Sequence, residues 1–481
     1  MINKKEELYS CRYLARIVLE ANTPIIIGSG EKNNDTDKLV QKDVNGLPYL
    51  PASSVAGCLR HAVMGTIDNE TEKRLFGFQN GEDGRGSQLV ITDGRIVGPK
   101  GVVDGIVAMD SLNDSDRDFF SKFEKLPIRD HVRLSHRGGA EKGGKFDEEI
   151  VYKGTRFCFE IEFVSCSDQE SKLFDAILEK FSDLEFRIGA GSRSGFGKVS
   201  VVSLQKRLLD LRKPEDRDDY LCKSSSLADS DFWSKSDKET PSEKERESER
   251  WTQYTLELTA RDFFLFGSGS GNADADICNA TSEQIEWMGD IPKFSHKKLL
   301  IPGSSVKGAI SHRVAFYYNK RTGVTIESLK QNAKETGTSI AILMENSVSD
   351  RNMAVRTLFG SQDPQNPACG NVLISDAIED APNTKLLNHV AVDRFTGGAI
   401  EGALFAEEPW ANKVDDKCKV KLEFLVKNTA LTDENVKGAF EDALKAVACG
   451  ELPLGGGTNR GHGVFNGNVL KNGEALYEYH D

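Results

Sequence analysis

No apolar run in this chain approaches the ~18 residues of a membrane span, so no helical membrane anchor is expected. The opening residues, MINKKEELYSCRYL, lack the apolar segment of a secretory signal. Cysteine is sparse and unpatterned, with nine residues and no CxxC pair. An odd, scattered set suits reduced thiols in a cytoplasmic protein better than a disulfide framework or a zinc site. Positive charge is in deficit: the formal net charge is −13. That balance argues against coating nucleic acid by bulk charge, although a local basic groove is compatible with it. Neither GxxxxGK(S/T) nor GxGxxG after a first strand occurs, so no organic cofactor is expected.

What is present is a repetition. Residues 47–61, LPYLPASSVAGCLRH, are answered by 299–313, LLIPGSSVKGAISHR. RLFG from Arg74 returns as TLFG from Thr357, and SQLVITD from Ser87 as GNVLISD from Gly370. GAGSRSGFGKVSV from Gly189 returns as GGGTNRGHGVFNG from Gly455. The signatures keep their order at a spacing of roughly 250–285 residues, far longer than a solenoid period. This is a domain duplication, and 481 residues are enough for each copy to bury its own core.

The expected division is a first domain over 1–208, a linker over 209–250 and a second domain over 251–481. From Asp210 to Arg250 the chain is charged, serine-rich and nearly without apolar periodicity. It reads as a solvated, partly disordered linker, with a charged helix near Glu243–Arg250 as the alternative. Each copy opens on an alternating strand, YLARIVLEANTPIII or YTLELTARDFFLF, followed by a Gly/Ser-rich loop and the Ser-Ser turn. A helix follows, with Ser53 or Ser54 and Ser304 or Ser305 suited to N-capping. Later strands, a second helix and the glycine-rich segment complete an α+β order of the ferredoxin-like, split β-α-β type.

Three features point to phosphate. The glycine-rich segments, with Gly191 and Arg193 in one and Asn459 and Arg460 in the other, permit close backbone approach and charge-assisted contacts. Arg60 follows the first Ser-Ser turn, and Lys307 and Arg313 follow the second, beside helix N-termini. HVRLSHRGGAEKGGKFDEE from His131 and HVAVDRFTGGAIEGALFAEE from His389 read as long Gly-rich hairpins reaching towards a partner, with Arg137 and Arg394 near their tips.

PASSVAGCLR and PGSSVKGAIS resemble the signature turn-helix of the RAMP superfamily, and RIGAGSRSGFGKV and LGGGTNRGHGVF resemble its glycine-rich loop. DRFTGGAIEGALFAEE is similar to the thumb hairpin of backbone subunits in type III CRISPR effector complexes. Two such units in one chain resemble the fused subunits of type III-D-like complexes. The resemblance implies two RNA-recognition-motif-like RAMP domains holding CRISPR guide RNA, with thumbs that splay one nucleotide in six. It implies as partners a complementary target RNA and other effector subunits, including further backbone subunits and the large subunit. It also implies an endoribonuclease whose loop aspartate supports cleavage of the target RNA. A divalent cation, Mg2+ or Mn2+, is the expected cofactor, its ligands unassigned. In DKLVQKDVNGLPYLPASS, Asp37 falls on the catalytic position, with Asp43 later and Asp35 adjacent. In the longer second loop Asp290 keeps the D-x-P pattern, and Asp274 and Asp276 are the alternatives. A purely structural guide-binding subunit is the rival reading. A guide-processing enzyme using His131, His136, His389 or His462 is a third.

Overall fold

The computed structural model describes residues 9–33, 36–108, 112, 114–135, 138–239, 250–412 and 418–480. In the first unit the strands are β1 (Cys11–Ala21), β2 (Leu89–Ile91), β3 (Arg156–Ser165) and β4 (Val199–Asp210), with α1 (Ala52–Val63) between β1 and β2 and α2 (Ser171–Leu178) between β3 and β4. They pair antiparallel in the order β4-β1-β3-β2. In the second unit β5 (Trp251–Ala260), α3 (Gly303–Thr322), β6 (Val372–Ile374), β7 (Lys419–Lys427), α4 (Glu434–Ala448) and β8 (Phe465–Lys471) repeat the plan, in the order β8-β5-β7-β6. The duplication is therefore two ferredoxin-like α+β units, as the strand-helix order predicts.

Alternation explains the cores. Tyr13, Ala15, Ile17 and Leu19 on one face of β1 pack with Val55 and Leu59 of α1 and with Phe174 and Ile177 of α2. Tyr254, Leu256 and Leu258 do the same in the second unit with Val306, Ile310, Phe440 and Leu444.

The segment after β4 departs from expectation. Residues 211–236 are folded, with a helix at Pro214–Cys222, and cover the other face of the first sheet. Trp233 is buried against Leu14 and Leu209. Its indole donates to Glu160 Oε1 at 2.7 Å, which also receives Arg16 at 3.1 Å. One aromatic with a buried hydrogen-bond partner thus ties down a stretch that composition alone marks as solvated. The sheet face that an RNA-recognition motif uses to stack bases is consequently closed in the first unit. Residues 240–249 lie outside the described residues, and with them most of the alternative helix.

The two units are joined by more than the linker. A hairpin of the second unit, Ile285–Met288 with Ile291–Phe294, packs into the first. Ile285 belongs to the first unit's core. Phe294 lies against Phe119, Phe123 and Tyr152, with ring centroids 5.5, 6.0 and 5.0 Å away. Trp287 donates to the carbonyl of Gly154 at 2.7 Å, and the Arg156 guanidinium sits 3.9 Å above its ring. Gly154 has φ +85°, and a Cβ there would lie 1.9 Å from the Ile285 carbonyl oxygen, so only glycine admits this hairpin.

Candidate nucleic-acid interface and aspartate sites

Asp37 lies in the exposed loop before α1, against the return strand of the first long hairpin (Ile128–Leu134 with Ala140–Glu149). Its Oδ2 accepts from the backbone N–H of Asp147 at 3.2 Å, and its own N–H donates to Asp147 Oδ1 at 2.8 Å. The next residue, Lys38, bridges in parallel to Glu148. The second unit repeats this arrangement at Asp276. Its Oδ2 accepts from the N–H of Ala406 at 2.8 Å, its N–H donates to the Ala406 carbonyl at 2.9 Å, and Ile277 pairs in parallel with Glu407. Asp276 is thus the counterpart of Asp37.

Asp290 is not in that place. It occupies the exposed turn of the hairpin docked in the first unit, between Gly289 and Ile291. Asp274 donates its N–H to Asn272 Oδ1 within the loop turn. Asp43 caps a local turn through the N–H groups of Asn45 and Leu47. Asp35, His136 and Arg137 lie outside the described residues.

The hairpins match in detail. Both carry an irregular register at the same point, between Val132 and Leu134 and between Val390 and Val392, which twists the arm. The first arm lies towards the second unit: Arg133 Nη1 reaches Gln362 Oε1 at 3.4 Å, and Asp130 lies against Gly269. The second arm, Leu387–Val392 with Ala399–Glu408, exposes Val390, Val392, Ile400 and Leu404, and Phe395 at its tip is 98% exposed. Arg394 is exposed beside it.

The signature helices are capped differently from expectation. The N-cap positions are Pro51 and Pro302, and no side chain caps either helix from them. Ser53, Ser54, Ser304 and Ser305 lie inside the first turn. The first N–H groups are instead received by aspartates closing the repeated strands: Ala52 by Asp93 at 2.9 Å and Gly303 by Asp376 at 2.8 Å. The Asp that ends both SQLVITD and GNVLISD is that anchor.

At the seam between units this anchor does more. Arg129 of the first unit donates to Asp376 Oδ2 at 2.9 Å, and Gly195 of the first glycine-rich loop bridges to Ser375. Arg193 Nε donates to the carbonyl of Gly370 at 2.6 Å. Beside it lies Lys307 of α3, for which no carboxylate partner occurs among the described residues. Burial, then the nearby Arg193 charge, lowers its pKa from the usual lysine range. Arg193 and Lys307 thus bring two cations close together near the first turns of a 20-residue helix.

Other predicted contacts serve within their own unit. Arg60 pairs with Glu72 at 2.8 Å, Arg313 donates to the Glu451 carbonyl at 3.0 Å, and Arg460 pairs with Glu407. Gly191 holds the first loop by accepting from Ser194 at 2.7 Å, and Asn459 is exposed in the turn Thr458–Arg460.

The family model of the RAMP superfamily matches residues 18–200 and 266–466. The chain belongs to the RAMP superfamily. It carries two RAMP domains in tandem, in a family that is CRISPR-associated and RNA-binding and includes some endoribonucleases. A search of curated proteins gives no match. Among the described residues no helix of this RAMP protein is long and apolar enough to cross a membrane, and no group of three or more His, Cys, Asp or Glu side chains is arranged to hold a metal ion.

Proposed function

We propose that this tandem RAMP protein is a backbone subunit of a type III-like effector ribonucleoprotein that holds guide RNA and cleaves the paired target RNA. The observation that carries the reading is the identity of place of Asp37 and Asp276. Each is an exposed carboxylate with one oxygen fixed by a hairpin N–H, at the root of an arm that can separate stacked bases. The apolar residues exposed on the second arm suit such a wedge.

In this reading the splayed nucleotide supplies its own 2′-OH as nucleophile, and the aspartate holds that hydroxyl in line and takes its proton. Cuts then fall at two positions, six nucleotides apart. A divalent cation, when bound, neutralises charge developing on the phosphate. Among the described residues no three-ligand cage occurs, and its protein ligands would be Asp37, aided by Asp147, and Asp276, with RNA phosphates completing the shell, a mode that suits Mg2+.

Arg193 and Lys307 support a guide backbone running along the seam. Asp93 supports stacking of further units. It anchors α1 as Asp376 anchors α3, and its carboxylate, half open to solvent, also meets Arg95 of the same unit at 3.4 Å. The large subunit of such complexes is the remaining partner.

The test is target-RNA cleavage by the guide-loaded chain, in its assembled complex, with Asp37→Ala and Asp276→Ala combined. Loss of both cuts with target binding retained is expected. Cutting that survives the double substitution would mark the chain as a scaffold.

A further inference from the structure

Behind each aspartate, one residue further along the hairpin than the N–H that binds it, a carboxylate is buried. Glu148 lies behind Asp37 and Glu407 behind Asp276. Both sit beside a histidine stacked on a phenylalanine: His131 on Phe146, and His389 on Phe405, each with ring centroids 4.8 Å apart. His131 Nε2 lies 3.0 Å from Glu148 Oε1, out of line for a hydrogen bond. His389 Nε2 bonds Glu407 Oε1 at 2.8 Å. A buried carboxylate is costly unless paired, and the two units pair it differently. In the first, Lys38, the residue after Asp37, reaches Glu148 Oε2 at 3.2 Å and lies over Phe146. In the second, Ile277 stands in that position and the cation comes from the glycine-rich loop: Arg460 binds Glu407 Oε2 and lies over Phe405. The same loop adds His462, whose Nε2 is 3.6 Å from Glu407 Oε1 and whose buried Nδ1 has no hydrogen-bond partner among the described residues. The corresponding loop position in the first unit is Phe196, whose ring centroid lies 6.1 Å from that of His131.

We propose that Glu148 and Glu407 are positioning residues that lock each hairpin against its aspartate loop, and that the second lock, completed by His462 where the first carries Phe196, opens under mild acid. The proposal rests on the nuclease reading above and deepens it. A buried glutamate held by its neighbouring cation, Lys38 or Arg460, fixes the return strand, and that strand presents the N–H that fixes the aspartate carboxylate. Displacing it lets the aspartate turn away from the hydroxyl it must meet. In the second unit His462 faces Glu407 and His389 from the hairpin, Arg460 from its own loop and Asp262 from the bend after β5. Burial is the largest influence and holds His462 below the ordinary histidine pKa of 6.5; Glu407 opposes this, and Arg460 and His389 add to it. The neutral ring therefore belongs to the locked state. Acidification below pH 6.5 favours states in which His462 is free to take a proton. A protonated His462 also competes with Arg460 for the single Glu407 charge.

The experiment follows the two cuts separately in the guide-loaded complex, across pH 5–8. Glu407→Gln is expected to slow the Asp276-dependent cut by roughly a hundredfold in single-turnover rate, with target affinity and the Asp37-dependent cut retained. Glu148→Gln should do the reverse. His462→Phe, which installs the residue the first unit tolerates at that place, should give the second cut the pH profile of the first. Amide exchange at Ala406 reads the lock without any cutting, and Glu407→Gln should accelerate it while leaving the Asp147 amide unchanged. Equal slowing of both cuts by Glu407→Gln, or an acid limb of the second cut that survives His462→Phe, overturns the proposal. If the wild-type complex makes no cut, the nuclease reading fails. The Ala406 amide then still decides the lock, and unchanged exchange in Glu407→Gln overturns it.

Discussion

Arg129 of the first unit and Asp376 of the second form an ion pair across the seam, Nη1 to Oδ2 at 2.9 Å, with side chains 7% and 0% exposed. Asp376 simultaneously receives the first N–H of α3, so one carboxylate joins the units and starts the signature helix. Removing one partner of a buried pair leaves the other charged and unpaired. Asp376→Asn should therefore destabilise the chain by about 3 kcal/mol. Denaturation followed by a probe in each unit should change from one shared transition to two. A single unshifted transition would show that the docked hairpin around Trp287 alone couples the units.

The glycines at equivalent loop positions make a matched comparison. Gly195 has φ +112°, and a Cβ would lie 2.3 Å from Asp376 Oδ1; Gly461 has φ +90° with nothing within 4 Å. Gly461→Ala carries only the backbone cost of about 1 kcal/mol. Gly195→Ala adds a clash at the seam and should cost clearly more. Equal midpoint shifts in urea would contradict the seam contact.

Lys307 should contribute to RNA affinity without reading sequence. Lys307→Ala is expected to weaken guide RNA binding uniformly across unrelated sequences and to reduce the slope of log affinity against log salt by about 1. Arg193 is a poorer probe, since it also bonds the Gly370 carbonyl. An unchanged salt slope would remove the phosphate from the seam.

Strand-helix order and the repeated signatures made both ferredoxin-like units legible, because burial of alternate residues and helix spacing are local properties. The place of Asp37, a short and regular distance before its turn, is readable from the sequence; its role is the proposal. In sequence Asp276 is one of several candidates, since the second loop is longer and carries the hairpin of Trp287 and Phe294. Its contacts with the hairpin strand 130 residues away, to the Ala406 N–H and carbonyl, set it apart from Asp290. The cover formed by residues 211–236 is not legible in sequence for a related reason: Trp233 finds its partners Leu14 and Glu160 across the fold, and a charged, serine-rich stretch has no periodicity to signal that. The capping aspartates do leave a sequence signal, because both strand repeats end on the same residue.

The equivalence of Asp37 and Asp276 is tested most directly by mapping cuts on a guide-paired target RNA with Asp37→Ala, Asp276→Ala and Asp290→Ala made one at a time in the assembled complex. Asp37→Ala should erase one cut and Asp276→Ala another, six nucleotides away, while Asp290→Ala leaves both. Loss of the second cut in Asp290→Ala and its persistence in Asp276→Ala would contradict the account.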